Sequence, residues 1–156
     1  MGSFGPPGLN ILITGGSSGI GEAIAMEMQR AGGVNCHSFF LIGRDEEKLK
    51  KVCLKFISPV AYGVGDVSSE ADVKRIYKEA QNFFTDENGE HEPIDVVVLN
   101  AGVGRFGECE DLTVADFDLT FNTNVRGVFL WLQQCLPSMK ERGKGQIIVT
   151  SSNLGV

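Results

Sequence analysis

Short continuous runs of apolar residues alternate along this chain with segments in which apolar positions recur every three or four residues. The continuous runs lack the alternation of polar and apolar positions that marks a half-exposed strand. Such runs are typical of strands that are buried on both faces of a parallel sheet. The predicted strands are Leu9–Thr14, 38–42, a weak third strand at 60–62, 94–99 and 146–150.

The intervening segments have the apolar periodicity of amphipathic helices that cover a sheet. Ser68 or Ser69 can cap the third helix, which extends at least to Phe83. Gly143 and Gly145 can end the last helix, and the polar residues 85–93 predict a surface loop. The other predicted helices span 20–30, 45–56, 112–121 and 125–140.

The strict alternation of strands and helices predicts an α/β fold. Strands that are apolar throughout need cover on both faces, and this favours a parallel sheet between two layers of helices. Right-handed crossovers then give a doubly wound sheet. We therefore predict a single doubly wound domain over residues 1–156, with about five strands present.

Composition and charge narrow the classes of function. Of the 156 residues, 42% are hydrophobic and 22% are charged, which indicates a folded chain with a core. The net charge of −6 disfavours binding to nucleic acids and to anionic membranes. Residues 1–7 do not have the pattern of a signal peptide, and no apolar run is long enough to span a bilayer. We expect a cytoplasmic protein that binds neither nucleic acid nor membrane.

The cysteine and histidine residues do not have the spacing of a metal site. No two cysteines form a CxxC pair, and one adjacent Cys-His pair stands without a second pair. We therefore expect free thiols and no bound metal. The residues concerned are Cys36, Cys53, Cys109, Cys135, His37 and His91.

A glycine-rich segment, residues 14–21 with the sequence TGGSSGIG, joins the first predicted strand to the first helix. The amino end of a helix carries unpaired N–H groups and a positive dipole end, and it therefore binds phosphate. Glycines let the backbone turn tightly and approach a pyrophosphate closely. The alternative to a phosphate-binding turn is an ordinary glycine-rich turn. The position of the segment between a strand and a helix makes this alternative less favoured.

This segment resembles the signature of the short-chain dehydrogenase/reductase family, Thr-Gly-x-x-x-Gly-x-Gly. Four further motifs follow in the family's order and span nearly the whole chain. One of them departs from the family pattern, because Leu99 replaces the asparagine that usually precedes Asn-Ala-Gly. The motifs are Asp66-Val67 after the third strand, Asn100-Ala101-Gly102 after the fourth, Asn124 at the start of the long helix, and Ser152 after the fifth strand.

The resemblance implies a Rossmann-type NAD(P)-binding domain that transfers a hydride between a nicotinamide and a carbonyl or alcohol substrate. It assigns Ser152 to hydrogen-bond the substrate oxygen, where a hydroxyl stabilises developing negative charge. It assigns Asn124 to hold a water in a proton relay. By themselves, Ser152 could be a strand-end or capping residue, and Asn124 could cap the long helix. The residues implied in cofactor binding are Thr14, Gly15, Ser17, Ser18, Gly19, Ile20, Gly21, Arg44, Asp66, Val67, Asn100, Ala101 and Gly102.

The acid/base pair that the resemblance calls for, a tyrosine followed four residues later by a lysine, is absent from these residues. The two tyrosines are Tyr62 and Tyr77, and Asp66 and Gln81 stand four residues after them. We expect the 156-residue chain to be inactive and to lack the carboxy-terminal part of its domain. A non-catalytic nucleotide-binding regulator and an unstable truncated product are the alternatives. An unpaired edge at 146–150 would favour aggregation and weak cofactor binding.

The residues after the second strand bear on the choice of cofactor. An acidic residue there would bind the ribose hydroxyls of NAD, but Gly43 occupies this position and Arg44 follows it. A guanidinium suits a 2′-phosphate, so we favour NADP(H) over NAD(H). Arg44 could instead be a solvent-facing charge at the start of the next helix.

Two features bear on partners. The loop at 102–110 would face the substrate, but its residues do not identify a particular substrate. The long helix has apolar residues around most of its circumference, so one face can cover the sheet and another needs a second cover. In the resembling family this helix packs against its copy in a partner subunit. We therefore expect a homodimer or homotetramer when the protein is complete.

Overall fold

The structure is a computed structural model that describes residues 8–32, 37–86 and 88–152. Each of the five predicted strands is present. They are β1 (Leu9–Thr14), β2 (His37–Gly43), β3 (Val60–Val64), β4 (Val96–Leu99) and β5 (Gln146–Val149). The helices are α1 (Gly19–Gly32), α2 (Glu46–Cys53), α3 (Glu70–Phe83), α4 (Val114–Phe121) and α5 (Gly127–Arg142), and a π-helical turn (Asn122–Arg126) joins the last two.

The five strands form one parallel sheet in the order β3-β2-β1-β4-β5. Ile13 at the centre of the sheet lies opposite Leu41 of β2 on one side and Val98 of β4 on the other. From β1 the chain first proceeds outward to β2 and β3, and then returns to place β4 and β5 on the other side. The prediction of a doubly wound Rossmann-type sheet is confirmed.

Alternate residues of the central strands pack against opposite helical layers. Ile11 and Ile13 of β1 face α1 and α2, whereas Leu12 faces α3 and α5. The largest side chain of the second layer is Trp131 of α5, which is only 1% exposed. Burial on both faces explains why the strands are apolar throughout.

The helix boundaries lie within two residues of the sequence prediction, except at the end of α2. Helix α2 ends at Cys53 and not at residue 56, because Phe56 leaves the helix to pack edge-on against Phe39 of β2 at 5.0 Å between ring centroids. Of the two predicted capping residues, Ser69 caps α3 by accepting a hydrogen bond from Asp72 N at 3.3 Å.

Some strand boundaries also differ from the sequence prediction. Strand β3 continues to Val64, which lies opposite Gly43. Strand β4 begins at Val96, and just before it the carboxylate of Asp95 accepts a hydrogen bond from Asn10 N at 3.2 Å.

Strand β5 lies at one edge of the described sheet. Its side chains are more exposed than those of the other strands, with Ile148 at 37% and Val149 at 50%. The expected aggregation of the 156-residue chain through this edge stays a prediction. None of the described helices has both the length and the apolar composition to cross a bilayer.

Candidate functional site

A cleft of about 240 Å³ opens at the carboxyl ends of the strands. It lies where the strand order reverses, between β1 and β4, which is the usual ligand position in doubly wound sheets. The segments that follow β1, β2, β3 and β4 meet there, together with the π-helical turn. The lining residues are Gly15, Ser17, Ser18, Gly43, Arg44, Gly65, Asp66, Val67, Asn100, Ala101, Gly102, Val103 and Thr123.

The glycine-rich turn forms one wall of this cleft, and two of its glycines are required by their surroundings. Gly15 has a φ of +70°, in the left-handed region that favours glycine. A Cβ at Gly21 would overlap the carbonyl oxygen of Gly15 and lie 2.7 Å from Asn100 Nδ2. Nothing lies within 4 Å of the position that a Cβ on Gly19 would take, so the amino end of α1 is open. The turn can therefore accept a phosphate.

The buried hydroxyl of Thr14 joins the turn to the loop after β4. Its Oγ1 accepts hydrogen bonds from Asn100 N at 3.0 Å and from Ala101 N at 3.1 Å. The same hydroxyl donates to Val98 O at 3.4 Å. Thr14 therefore holds the loop after β4 in position next to the glycine-rich turn.

Arg44 stands exposed at the mouth of the cleft, and within the described part of the chain it has no hydrogen bond or ion pair. The acidic residues that follow it have other partners. Asp45 accepts a hydrogen bond from Lys48 N at 3.0 Å, and this bond lowers the pKa of Asp45. Glu46 pairs with Lys50 at 3.2 Å. The guanidinium of Arg44 is consequently available to an anionic ligand.

Asp66 begins a tight turn at the opposite side of the cleft. Its Oδ1 accepts hydrogen bonds from Ser68 N at 2.8 Å and from Ser68 Oγ at 2.7 Å. Asp66 N donates to Asp72 Oδ2 at 3.0 Å, which ties this turn to α3. Val67 is buried beside it. Oδ2 of Asp66 has no hydrogen bond to the described residues, so it can accept one from a ligand.

Asn124 lies within the π-helical turn, and the helical backbone is continuous on both sides of it. The alternative that Asn124 caps the long helix is therefore wrong. Its Oδ1 accepts from Val103 N at 2.9 Å and its Nδ2 donates to Val103 O at 2.8 Å. Single π-helical turns are frequent at functional sites. Here the turn directs Asn124 onto the loop that borders the cleft.

Ser152 follows β5 and is exposed, outside the residues that line the cleft. Neither tyrosine reaches the cleft. Tyr62 lies on β3 and donates to Glu46 Oε1 at 3.2 Å, whereas Tyr77 of α3 is half-buried against the core. Burial raises the pKa of both phenols, and Glu46 raises that of Tyr62 further. An acid/base at neutral pH needs a lowered tyrosine pKa, so both phenols are shifted in the wrong direction.

Of the residues implied in cofactor binding, nine line the cleft: Gly15, Ser17, Ser18, Arg44, Asp66, Val67, Asn100, Ala101 and Gly102. The other four, Thr14, Gly19, Ile20 and Gly21, support the turn from behind or flank it. Gly43, which the sequence analysis placed at the end of the second strand beside Arg44, also lines the cleft, whereas sequence reasoning missed Gly65, Val103 and Thr123. Gly65 and Val103 are adjacent to predicted positions, which was a usable signal. Thr123 reaches the cleft through the π-helical turn, which sequence periodicity does not indicate.

No group of three or more potential metal ligands occurs among the described residues. The described cysteines Cys53, Cys109 and Cys135 form no disulfide. Burial raises the pKa of Cys135 to about 12, so this thiol is unreactive at neutral pH. Cys36, the cysteine adjacent to His37, lies outside the described residues.

Comparisons with known proteins agree with this geometry. A family model described as short chain dehydrogenase matches residues 9–156. Sepiapterin reductase of Chlorobaculum tepidum is 37% identical over 150 residues, which are 91% of this chain and 58% of that protein. The 3-ketodihydrosphingosine reductase of Mus musculus is 31% identical over 153 residues, 96% of this chain and 44% of that protein. The chain spans about half the length of these curated relatives.

Solved structures have the same fold. An alcohol dehydrogenase from the archaeon Thermococcus sibiricus, complexed with 5-hydroxy-NADP, superimposes with a TM-score of 0.81 and 33% identity, over 95% of this chain and 60% of that one. A 3-ketoacyl-ACP reductase from Sinorhizobium meliloti 1021 gives a TM-score of 0.80 and 31% identity, over 92% of this chain and 53% of that one.

Proposed function

Because the chain belongs to the short-chain dehydrogenase family, we propose that it is the cofactor-binding part of an NAD(P)(H)-dependent oxidoreductase acting on a small-molecule carbonyl or alcohol. The observation that carries this proposal is the cleft at the reversal of strand order, lined by the glycine-rich turn and the Asn100-Ala101-Gly102 loop. The cytoplasmic location expected from the sequence stays a prediction.

The residues around the cleft fit a dinucleotide. The open amino end of α1 and the hydroxyls of Ser17 and Ser18 would hold the pyrophosphate. Asp66 and Val67 would contact the adenine. When bound, the nicotinamide supplies or accepts the hydride.

The residues beside the reacting carbon would have separate tasks. Ser152 would donate a hydrogen bond to the substrate oxygen, where negative charge develops. Asn124 holds the peptide of Val103 with both ends of its carboxamide, and each end retains capacity for one further bond. That capacity is where the proposed relay water would bind.

We further propose NADP(H) as the preferred cofactor. Arg44 is exposed, its neighbouring carboxylates are paired with lysines, and it lines the cleft. Gly43 stands where an acidic side chain would bind the ribose hydroxyls of NAD, so this position offers no carboxylate to select NAD or to repel a 2′-phosphate. The Thermococcus sibiricus relative, complexed with 5-hydroxy-NADP, is consistent with this preference.

Arg44→Ala is expected to weaken binding of NADPH selectively. A charge-assisted hydrogen bond contributes about 1.5–3 kcal/mol, so we expect an about tenfold to hundredfold rise in the Kd for NADPH. The Kd for NADH should change less than about twofold, because NADH has no 2′-phosphate. Titration of the natural protein, monitored by nucleotide fluorescence, measures both constants. Arg44→Lys serves as the control that keeps the charge but not the planar fork. Equal losses for the two nucleotides would refute the assignment.

A non-catalytic nucleotide-binding protein is the second candidate. It is favoured by one observation, that Tyr62 and Tyr77 lie away from the cleft. Absorbance of NADPH at its nicotinamide band, followed in the natural protein with a panel of aldehydes and ketones, separates the two. Consumption that requires both protein and carbonyl supports the oxidoreductase. Tight NADPH binding without consumption supports the second candidate.

Oligomerisation through α4 and α5 is also proposed. Four apolar side chains spaced four residues apart continue across the π-helical turn and are each about half exposed, with values from 49% to 57%. They form one row of apolar side chains, consisting of Phe117, Phe121, Val125 and Phe129.

We expect the natural protein to sediment as a dimer or tetramer at micromolar concentration. Phe129→Ser should weaken the association about thirtyfold, because two copies each lose about 1 kcal/mol of apolar burial. Sedimentation equilibrium measures the change. Leu54→Ser is a suitable control, since Leu54 is 86% exposed and lies on α2's end, away from this row. A monomeric wild-type protein would contradict the proposal.

A further inference from the structure

The side chain of Asn100 connects three neighbouring strand ends. Its Nδ2 donates to Thr14 O at 3.3 Å, and its Oδ1 accepts from Thr150 Oγ1 at 3.1 Å. A backbone carbonyl can only accept, so the amide nitrogen must face Thr14 and the oxygen must face Thr150. The hydroxyl of Thr150 is therefore the donor, and the orientation of the carboxamide is determined by both partners.

The glycine-rich turn lies directly on this carboxamide. Cβ atoms at Gly15 and Gly21 would lie 2.9 Å and 2.7 Å from Asn100 Nδ2, so no side chain separates the turn from the amide. Asn100 also lines the cleft itself. A ligand that orders the turn therefore also orders the carboxamide beneath it.

Thr150 is placed at the point where the chain leaves the sheet. Its N–H donates to Leu99 O at 3.1 Å, which continues the pairing between β4 and β5 by one residue. Ser152 follows two residues later. The Thr150 hydroxyl is thus a side-chain link between the turn that would hold the cofactor and the segment that carries Ser152.

We propose that Thr150 is a positioning residue that couples cofactor binding to the placement of the Ser152 segment through Asn100. This inference rests on the proposed function, since it requires a dinucleotide in the cleft. Coupling of this kind is reciprocal: a bound dinucleotide steadies residues 150–152, and an ordered Ser152 segment favours the dinucleotide.

Amide hydrogen exchange on the natural protein, with and without saturating NADPH, tests the proposal. In the wild-type protein NADPH should slow exchange in the peptide containing residues 150–152. Thr150→Val removes the donor at nearly constant volume, and we expect the NADPH-dependent slowing to fall about threefold to tenfold, the range for one hydrogen bond. Thr150→Ser should restore it. For each variant, the exchange rate without NADPH is divided by the rate with NADPH. General destabilisation of a variant therefore cancels from this ratio.

Thr85→Val is the matched control, because Thr85 also donates its hydroxyl, to Asn82 O at 2.7 Å, but lies in the loop before β4. It should leave the NADPH-dependent slowing at residues 150–152 unchanged. Full slowing in Thr150→Val, or none in the wild-type protein with NADPH bound, would overturn the coupling and leave the proposed function intact. Failure of the wild-type protein to bind NADPH would overturn both.

Discussion

A polypeptide of residues 1–156 is expected to reduce carbonyl substrates about 10²–10⁴-fold more slowly than sepiapterin reductase of Chlorobaculum tepidum, because neither tyrosine reaches the cleft to act as a general acid. Tyr62 and Tyr77 are engaged elsewhere, and their pKa values are raised. The sepiapterin reductase of Chlorobaculum tepidum, measured in the same assay, is a suitable reference. The measurement is NADPH consumption per molecule of folded protein.

The Ser152→Ala variant of the same polypeptide is the internal control. If the residual rate comes from solution chemistry or from cofactor binding alone, removing the hydroxyl should leave it nearly unchanged. The proposal of an inactive polypeptide would be wrong if the rate matched that of the reference and dropped on substitution of Ser152. That outcome would show that another group within these residues protonates the substrate.

Gly21→Ala is expected to destabilise the protein by about 3 kcal/mol, at the upper end for overpacking, and to abolish detectable NADPH binding. The added methyl would overlap the carbonyl oxygen of Gly15 and approach Asn100 Nδ2 at 2.7 Å. Backbone atoms of the turn cannot yield as a flexible side chain can. The turn would have to open, and the amino end of α1 would move from the cleft. Urea unfolding and NADPH titration of the natural protein measure the two effects.

Gly107→Ala is the matched control for this substitution. A Cβ there would meet Leu112 Cδ2 at 3.5 Å, an ordinary contact, and the φ of Gly107 lies outside the left-handed region. Both variants reduce the entropy of the unfolded chain alike, so their difference isolates the overlap. Equal stability of the two variants, with NADPH binding retained in both, would disprove the steric argument.

The sequence determined the features that depend on neighbouring residues. The strand runs are apolar throughout because both faces of the sheet are covered, and this pattern was sufficient to predict all five strands. The glycine-rich turn was predictable for a similar reason, since glycine at position 15 reflects a local backbone conformation. A predicted helix boundary was less accurate where a side chain makes a tertiary contact. Phe56, predicted to end α2, lies beyond the helix and packs on Phe39.

Only the tertiary structure determined which residues that are distant in sequence contact one another at the site. From the sequence, Asn124 could be a helix cap or a site residue. The structure shows that the π-helical turn brings its carboxamide to Val103, with which it forms two hydrogen bonds. The link from Thr14 through Asn100 to Thr150 joins residues more than a hundred positions apart. Such links depend on which strand ends are adjacent in the sheet. The alternation of strands and helices predicted the doubly wound sheet, but no local pattern identifies which side chains meet at the adjacent strand ends.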